Sequence, residues 1–128
     1  MRLNEVHVAL VDDDDSVRKA VGRLLRVAGM EVDVYASGSD FLNDLEKHLP
    51  DCVVLDICMP SMTGLEVQAN LAARHLNLPI VFITAHDDLP REQRALAAGA
   101  VACLHKPFSE QLLLATIANA TGAEARSD

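Results

Sequence analysis

Acidic, hydroxyl and ammonium side chains stand directly after four apolar segments of this 128-residue chain. Asp12 and Asp13 follow the run VHVALV, and Asp56 follows CVVL. Thr84 follows PIVFI, and Lys106 follows VACLH. Three carboxylates that lie close together repel one another, and a cation relieves that repulsion. If the four segments end at one place, their side chains form a charged site that binds a cation.

The residue types at these positions are those that phosphoryl transfer requires. A carboxylate can attack phosphorus and form an aspartyl phosphate. Mg²⁺ prefers hard oxygen ligands with room for several waters. A lysine ammonium and the metal neutralise the phosphoryl oxygens, while a threonine hydroxyl donates a further hydrogen bond. The set therefore predicts a phosphoryl-acceptor site that takes Mg²⁺ as its cofactor.

These groups meet only if the apolar runs are neighbouring parallel strands. Short apolar runs alternate with segments of helical spacing, and the pair is repeated five times. Uninterrupted apolar runs are typical of parallel strands that are covered on both faces, so the fold class is α/β. Ligands of such sheets bind outside the carboxyl ends of the strands. The predicted strands are 6–11, 32–35, 52–57, 79–83 and 101–105, and the predicted helices are 16–28, 41–49, 65–76, 87–98 and 110–117.

Length and composition limit the classes of function. We expect one domain over 1–122 and a tail or linker over 123–128. The net charge of -8 argues against direct nucleic-acid binding. The three cysteines form no C-x-x-C pair, which favours a reducing cytoplasm over a disulfide framework or a structural zinc site. No segment has the pattern of a signal peptide or of a membrane span.

Four motifs together carry a resemblance to one family. They are VALVDD at 8–13, VVLDICMPSMTG at 53–64, VFITAH at 81–86 and KPF at 106–108. Over about residues 6–120 the chain resembles the response-regulator receiver domains of two-component signalling. It most resembles the receivers that precede helix-turn-helix output domains in the nitrogen-fixation regulator class. The resemblance implies a flavodoxin-like (βα)5 fold with strand order 2-1-3-4-5 and a phosphorylation-dependent switch.

The resemblance also assigns the acceptor and the metal ligands. Asp56 is the expected phosphoryl acceptor. Asp13 and Asp56 are expected to bind Mg²⁺ directly, and Asp12 through a water molecule. The backbone carbonyl of Cys58 completes the implied set of protein ligands, so we do not expect its thiol to bind the metal.

The implied switch residues are Thr84, Ala85 and Lys106, with Lys106 joined to Pro107 by a cis peptide bond. Thr84 and Lys106 are expected to contact the phosphoryl group. Family members usually carry Tyr or Phe three residues before the Lys-Pro pair, where this chain has Cys103. A small thiol cannot swing inward as an aromatic ring does, so the sequence leaves open how the signal is transmitted.

Two further side chains occupy positions that tune dephosphorylation in the family. They are Cys58, two residues after the acceptor, and His86, two residues after the threonine. The alternative for His86 is an ordinary surface loop residue, and the other four histidines read as structural or exposed.

The resemblance implies a regulatory domain rather than an enzyme, since it catalyses only its own phosphoryl transfer and dephosphorylation. The expected partner is a sensor histidine kinase. A homodimer is expected to form on phosphorylation through the face of the last strand and its flanking helices. A DNA-binding output domain that regulates transcription is also implied, and this chain does not contain it.

Three other functions remain open on the sequence alone. The first is a phosphohydrolase whose nucleophile is Asp12, with Asp12 and Asp14 as its D-x-D motif, although the chain is short for that fold. The second is a flavodoxin, which would need a phosphate-binding loop where this chain has four acids. The third is a receiver that has lost its chemistry and serves as a scaffold. The hydrolase predicts that Asp12 is labelled by an acyl phosphate and that Asp56→Asn spares the label.

Overall fold

A computed structural model describes residues 2–85 and 87–123. Five parallel strands form one sheet in the order β2-β1-β3-β4-β5, which confirms the α/β class and the strand order. The strands are β1 (His7–Val11), β2 (Glu31–Tyr35), β3 (Cys52–Asp56), β4 (Ile80–Thr84) and β5 (Ala102–His105). The helices are α1 (Asp15–Val27), α2 (Gly38–Asp44), α3 (Gly64–Ala73), α4 (Leu89–Ala97) and α5 (Glu110–Thr121). None of these helices is long and apolar enough to cross a membrane.

Three predicted helix ends are wrong. Helix α2 ends at Asp44 instead of continuing to Leu49, because Leu49 is 51% exposed and has no core to pack against. Helix α3 ends at Ala73 because His75 adopts a left-handed backbone with φ 59°, which a right-handed helix cannot contain. Helix α5 continues past its predicted end to Thr121. The predicted tail lies outside the described residues from 124 onward.

An aliphatic core covers each face of the sheet. Strand residues alternate between the two faces, so adjacent positions of β1 and β3 enter different clusters. Burying such side chains fully contributes about 1.5–3 kcal/mol each. One cluster contains Val8, Leu10, Val54, Val81 and Ile83 with Leu25, Leu113 and Ile117, and the other contains Ala9, Val11, Val53, Leu55 and Phe82 with Phe41, Val67 and Leu71.

Side-chain caps begin the helices directly after the strand ends. Asp14 caps α1 by accepting hydrogen bonds from the backbone N–H groups of Ser16 and Val17. Thr63 and Glu66 form a reciprocal capping box at α3. Asp14 is thereby used as a structural cap, which leaves the two preceding aspartates for other roles.

Glycine at position 64 lets α3 begin against the end of β3. Its N–H donates to the Ile57 carbonyl at 2.9 Å. A Cβ atom at Gly64 would lie 2.4 Å from the Asp56 carbonyl oxygen and 2.8 Å from a ring carbon of Phe82. No side chain fits this gap, so Gly64 fixes the loop that follows Asp56.

Replacing Gly64 with alanine should lower the free energy of unfolding by about 1–3 kcal/mol. The new Cβ would overlap backbone atoms of Asp56 and Ile57, which cannot move without distorting the end of β3. Urea denaturation measures this change. Gly22→Ala in α1 is the matched control, since the nearest atom to its Cβ is Arg26 Nη1 at 3.4 Å, on a flexible side chain. The control should be neutral or stabilising by up to about 1 kcal/mol. Equal unfolding free energies for the two variants would contradict the close approach.

Candidate functional site

The strand ends bring the predicted site residues to one edge of the sheet, which we call the carboxyl edge. Asp12 directly follows β1, Asp56 ends β3 and Thr84 ends β4. Lys106 follows β5, and its N–H donates to the Thr84 carbonyl at 2.8 Å. Since all five strands are parallel, these residues lie where ligands of such sheets bind.

Three carboxylates converge at the carboxyl edge. Oxygen atoms of Asp12, Asp13 and Asp56 all lie within 4.8 Å of one another. Asp12 is buried, Asp56 is only 5% exposed, and Asp13 faces solvent. Oxygens at this spacing can share one hard divalent cation, which could approach from the side of Asp13.

Lys106 neutralises only one of these acids. Its Nζ atom lies 3.0 Å from Oδ2 of the buried Asp12. The other oxygen of Asp12 accepts the backbone N–H of Asp14 at 2.9 Å. The peptide bond from Lys106 to Pro107 is cis, as the resemblance implied. Asp12 is therefore held by both of its oxygens, which suits a fixed charge better than a nucleophile.

Asp56 differs from Asp12 because a described residue engages only one of its two carboxylate oxygens. Its Oδ1 accepts the backbone N–H of Cys58 at 3.2 Å, while Oδ2 accepts no hydrogen bond from the residues that the structure describes. Burial, followed by the nearby Asp12 carboxylate, raises the pKa of Asp56 to about 7, against the smaller lowering effect of Lys106. A bound cation would oppose this shift. The geometry leaves one acceptor oxygen of Asp56 available for reaction.

An arginine that the sequence analysis missed contacts the loop after Asp56. Nη1 of Arg91, in the first turn of α4, donates to the Cys58 sulfur at 3.2 Å. The same guanidinium pairs with Asp88 at 3.3 Å. The Cys58 thiol thus contacts α4, a contact that the sequence analysis did not predict. No spacing in the sequence indicates this pair, because 33 residues separate its members.

The expected switch residues lie on β4 and β5. Thr84 is buried, and Ala85 is exposed at the bend that follows it. Cys103 is half-buried and lies opposite Phe82 in the β4–β5 register. Burial raises the pKa of the Cys103 thiol to about 11, so it remains protonated at neutral pH. His86 lies outside the described residues.

The strand order places this chain in the flavodoxin-like α/β class, with a cluster of acids at its carboxyl edge. Residues 8–118 match the family model of the response regulator receiver domain, so the chain belongs to that family. It is a receiver domain of two-component signalling, which acts as a phosphorylation-dependent switch.

Relatives and solved structures agree with this assignment. The response regulator TodT of Pseudomonas putida is 41% identical over 110 residues, which cover 86% of this chain and 48% of TodT. A receiver protein from Burkholderia phymatum has a TM-score of 0.85 and 45% identity, covering 96% of this chain and 100% of its own. FixJ-N has a TM-score of 0.86 and 32% identity, covering 96% and 98%. These matches, which include FixJ-N, confirm the resemblance to response-regulator receiver domains and give no support to a phosphohydrolase.

The chain spans about half the length of the curated relatives it matches. Those relatives are response regulators and a nodulation protein. The match therefore concerns their receiver portion, to which the family model also corresponds.

The raised pKa of Asp56 predicts a pH-dependent effect of Asp56→Asn in metal-free buffer. Because the folded pKa of about 7 exceeds the ordinary 3.8, the ionised carboxylate costs stability above pH 7, and this cost disappears as the pH falls toward 4. The variant should therefore unfold with a free energy about 1–2 kcal/mol higher than the native chain at pH 8. That gap should close by about pH 4.5. Urea titrations at both pH values measure it.

Asp40→Asn is the matched control, since Asp40 is exposed in the first turn of α2. It should not stabilise the protein at pH 8, because its carboxylate is already solvated. An Asp56→Asn gap of the same size at both pH values would show that a change in packing or hydrogen bonding, rather than the loss of a charge, is being measured.

Proposed function

We propose that Asp56 takes a phosphoryl group from the phosphohistidine of a sensor histidine kinase. One observation carries this proposal. Asp56 ends a fully buried strand beside Lys106 and two further acids, and its Oδ2 accepts no hydrogen bond from a described residue. Asp12 has both oxygens engaged and Asp13 is exposed on the rim, so neither matches this combination.

The residues present fit Mg²⁺. The carboxylates of Asp13 and Asp56 and the Cys58 carbonyl would hold it directly, with Asp12 acting through a water molecule. This donor set consists of hard oxygens only, as Mg²⁺ prefers. The raised pKa of Asp56 supports the fit, because burial and then the nearby Asp12 carboxylate disfavour its charged form, and a bound cation would oppose both effects. When bound, the ion supplies positive charge to the phosphoryl oxygens.

The chemistry uses the free carboxylate oxygen. Oδ2 of Asp56 forms a bond to phosphorus while the phosphorus–nitrogen bond of the phosphohistidine breaks and the imidazole nitrogen takes up a proton. Water later attacks the acyl phosphate, which restores the carboxylate and releases inorganic phosphate. The domain therefore catalyses only its own phosphorylation and dephosphorylation. Cys58 and His86, two residues after Asp56 and Thr84, would tune the second step by limiting the access of water.

Phosphorylation would change the charge balance that now holds Lys106. A phosphoryl group brings roughly two negative charges to Asp56. Lys106, now 3.0 Å from Asp12, would turn toward the new charge, and the Thr84 hydroxyl would donate to it. Ala85 and the segment leading to α4 would follow Thr84 because they are its immediate continuation. A shift between two populations of this segment is the switch.

Contacts already present connect the carboxyl edge to α4, so a change at this edge would reach α4 without an aromatic ring at position 103. Arg91 joins α4 to the loop after Asp56 through the Cys58 sulfur. His105 of β5 pairs with Glu92 of α4 at 2.7 Å. Rearrangement at the carboxyl edge would therefore act on α4 from two sides, while Cys103 stays a small half-buried side chain of β5.

The face formed by α4, β5 and α5 is the proposed surface for a homodimer that forms on phosphorylation. Leu89, Leu96 and Leu112 are large apolar side chains exposed on α4 and α5. Desolvating such side chains favours association. The dimer would present the proposed output domains as a pair.

We further propose that residues 1–122 form the receiver of a transcription regulator with a DNA-binding output domain, with 123–128 as tail or linker. The half-length coverage of TodT and the description of FixJ as a transcriptional regulatory protein support this. The net charge of -8 supports the view that the receiver itself does not bind DNA. The three free cysteines support a reducing cytoplasm.

Incubation with Mg²⁺ and acetyl phosphate should add one phosphoryl group per chain, read by intact mass, and peptide mapping should place it on Asp56. Asp56→Asn should abolish the label because it removes the attacking oxygen, and Asp40→Asn should retain it. Beryllofluoride with Mg²⁺ should produce a dimer on size exclusion that Asp56→Asn does not form. A label that maps to Asp12 and persists in Asp56→Asn would instead establish the hydrolase chemistry.

A further inference from the structure

Two histidines and an aspartate meet at the opposite end of the sheet from Asp56. Nε2 of His7 lies 2.7 Å from Oδ2 of Asp33, and Nε2 of His48 lies 2.9 Å from the same oxygen. The two imidazole rings stack, with centroids 4.8 Å apart. His7 begins β1 and Asp12 follows its end, so the cluster is about 16 Å from the acidic site along the strand.

Three separate segments build this cluster. His7 comes from β1, Asp33 from the edge strand β2, and His48 from the connection between α2 and β3. Residue 7 pairs with Glu31 in the parallel register, which places the side chains of residues 7 and 33 on the same face of the sheet. The carboxylate of Asp51 accepts a hydrogen bond from the backbone N–H of His7 at 2.9 Å and so fixes the start of β1. The fold thus holds the three side chains together.

The cluster is accessible from solvent. His48 and Asp33 are 48% and 44% exposed in their side chains. They line an open cleft of about 710 Å³ together with His7, Arg26 and Glu31. Arg26 donates to the Val32 carbonyl at 3.1 Å, which holds its cation on the backbone. A small ion can therefore reach the two Nε2 atoms and the carboxylate.

The charge state of the cluster also suits a cation. The hydrogen bond from His48, together with His7, holds the pKa of Asp33 below its ordinary value despite partial burial. The two ring nitrogens each donate a proton to one carboxylate oxygen, and a bound cation would displace both protons.

We propose that His7, Asp33 and His48 form a binding site for a transition-metal dication of the Zn²⁺ type. Their ligand atoms lie within 4.8 Å of one another, and two imidazoles with one carboxylate are an established donor set for zinc. Each imidazole binds through Nε2 with its proton on Nδ1, and water fills the remaining position. Nitrogen ligands disfavour Mg²⁺, so the two ends of the sheet select different metals.

Such an ion would tie the edge strand to the connection that precedes β3. These segments are now joined by two hydrogen bonds to Oδ2 of Asp33, and the ion would bond to all three side chains instead. Because it binds only the folded chain, the ion would also raise the free energy of unfolding. This inference does not depend on the phosphorylation of Asp56. Labelling of Asp56 by acetyl phosphate should be the same in His48→Asn and Asp33→Asn as in the native chain, so failure of one proposal is distinguishable from failure of the other.

Calorimetric titration with Zn²⁺, in excess Mg²⁺ to saturate the acidic site, should show one ion bound per chain. His48→Asn should weaken binding by about 100-fold or more, because losing even a hydrogen-bond partner of a ligand costs about 10–100-fold. His75→Asn is the matched control, since His75 is exposed and asparagine tolerates its left-handed backbone. Asp33→Asn should also abolish binding, and circular dichroism checks the fold of each variant.

Co²⁺ provides an independent readout, since a site with two imidazoles should give a visible absorption band that His48→Asn removes. Cys58→Ser and Asp13→Asn should leave both Zn²⁺ binding and this band unchanged. Absence of stoichiometric binding, or binding that His48→Asn leaves within a few-fold of native, would overturn the proposal. Loss of binding in Cys58→Ser or Asp13→Asn would do the same, because it would place the ion at the carboxyl edge.

Discussion

Repulsion among three carboxylates at the end of an apolar sheet is the constraint on which this domain depends. Asp12, Asp13 and Asp56 are held within 4.8 Å of one another, and two of them are withdrawn from water. Lys106 offsets one charge by pairing with Asp12. Burial, with the repulsion from Asp12 added to it, raises the pKa of Asp56 to about 7. The site is therefore suited to gain a cation and then to exchange charge when a phosphoryl group arrives.

The rest of the fold keeps these charges from moving apart. Strands β1 and β3 are anchored by core clusters on both faces, so their ends cannot separate without exposing aliphatic side chains. Gly64 lets α3 begin against the Asp56 backbone, and Asp14 caps α1 directly after the acid pair. We propose that Lys106 and Thr84 are the residues that respond to a change of charge at this edge.

Sequence reasoning predicted the strands well because strands covered on both faces must be apolar throughout, as in the run that ends at Asp56. It placed the acids, Thr84 and Lys106 at one edge because parallel strands share a direction. The order of the strands came only from family resemblance, since residue spacing does not encode which strands pair. The end of α2 was wrong because helical spacing continued to Leu49 where no core was available to bury it.

Contacts between distant segments could not be predicted. Arg91 and Cys58 are 33 residues apart, and His7, Asp33 and His48 meet only through strand register and a loop. Each of these residues is ordinary in its local sequence. Only the folded chain shows that His7, Asp33 and His48 meet at the end of the sheet opposite the acids.

Titration of the Asp56 carboxyl carbon by ¹³C NMR, without and with Mg²⁺, measures how strongly its surroundings disfavour the charged form. We expect a midpoint near pH 7 in metal-free buffer, because burial and the neighbouring Asp12 disfavour that form. Mg²⁺ should move that midpoint downward by stabilising the carboxylate. A metal-free midpoint near the ordinary 3.8 that Mg²⁺ leaves unchanged would show that the acids neither repel one another strongly nor share an ion.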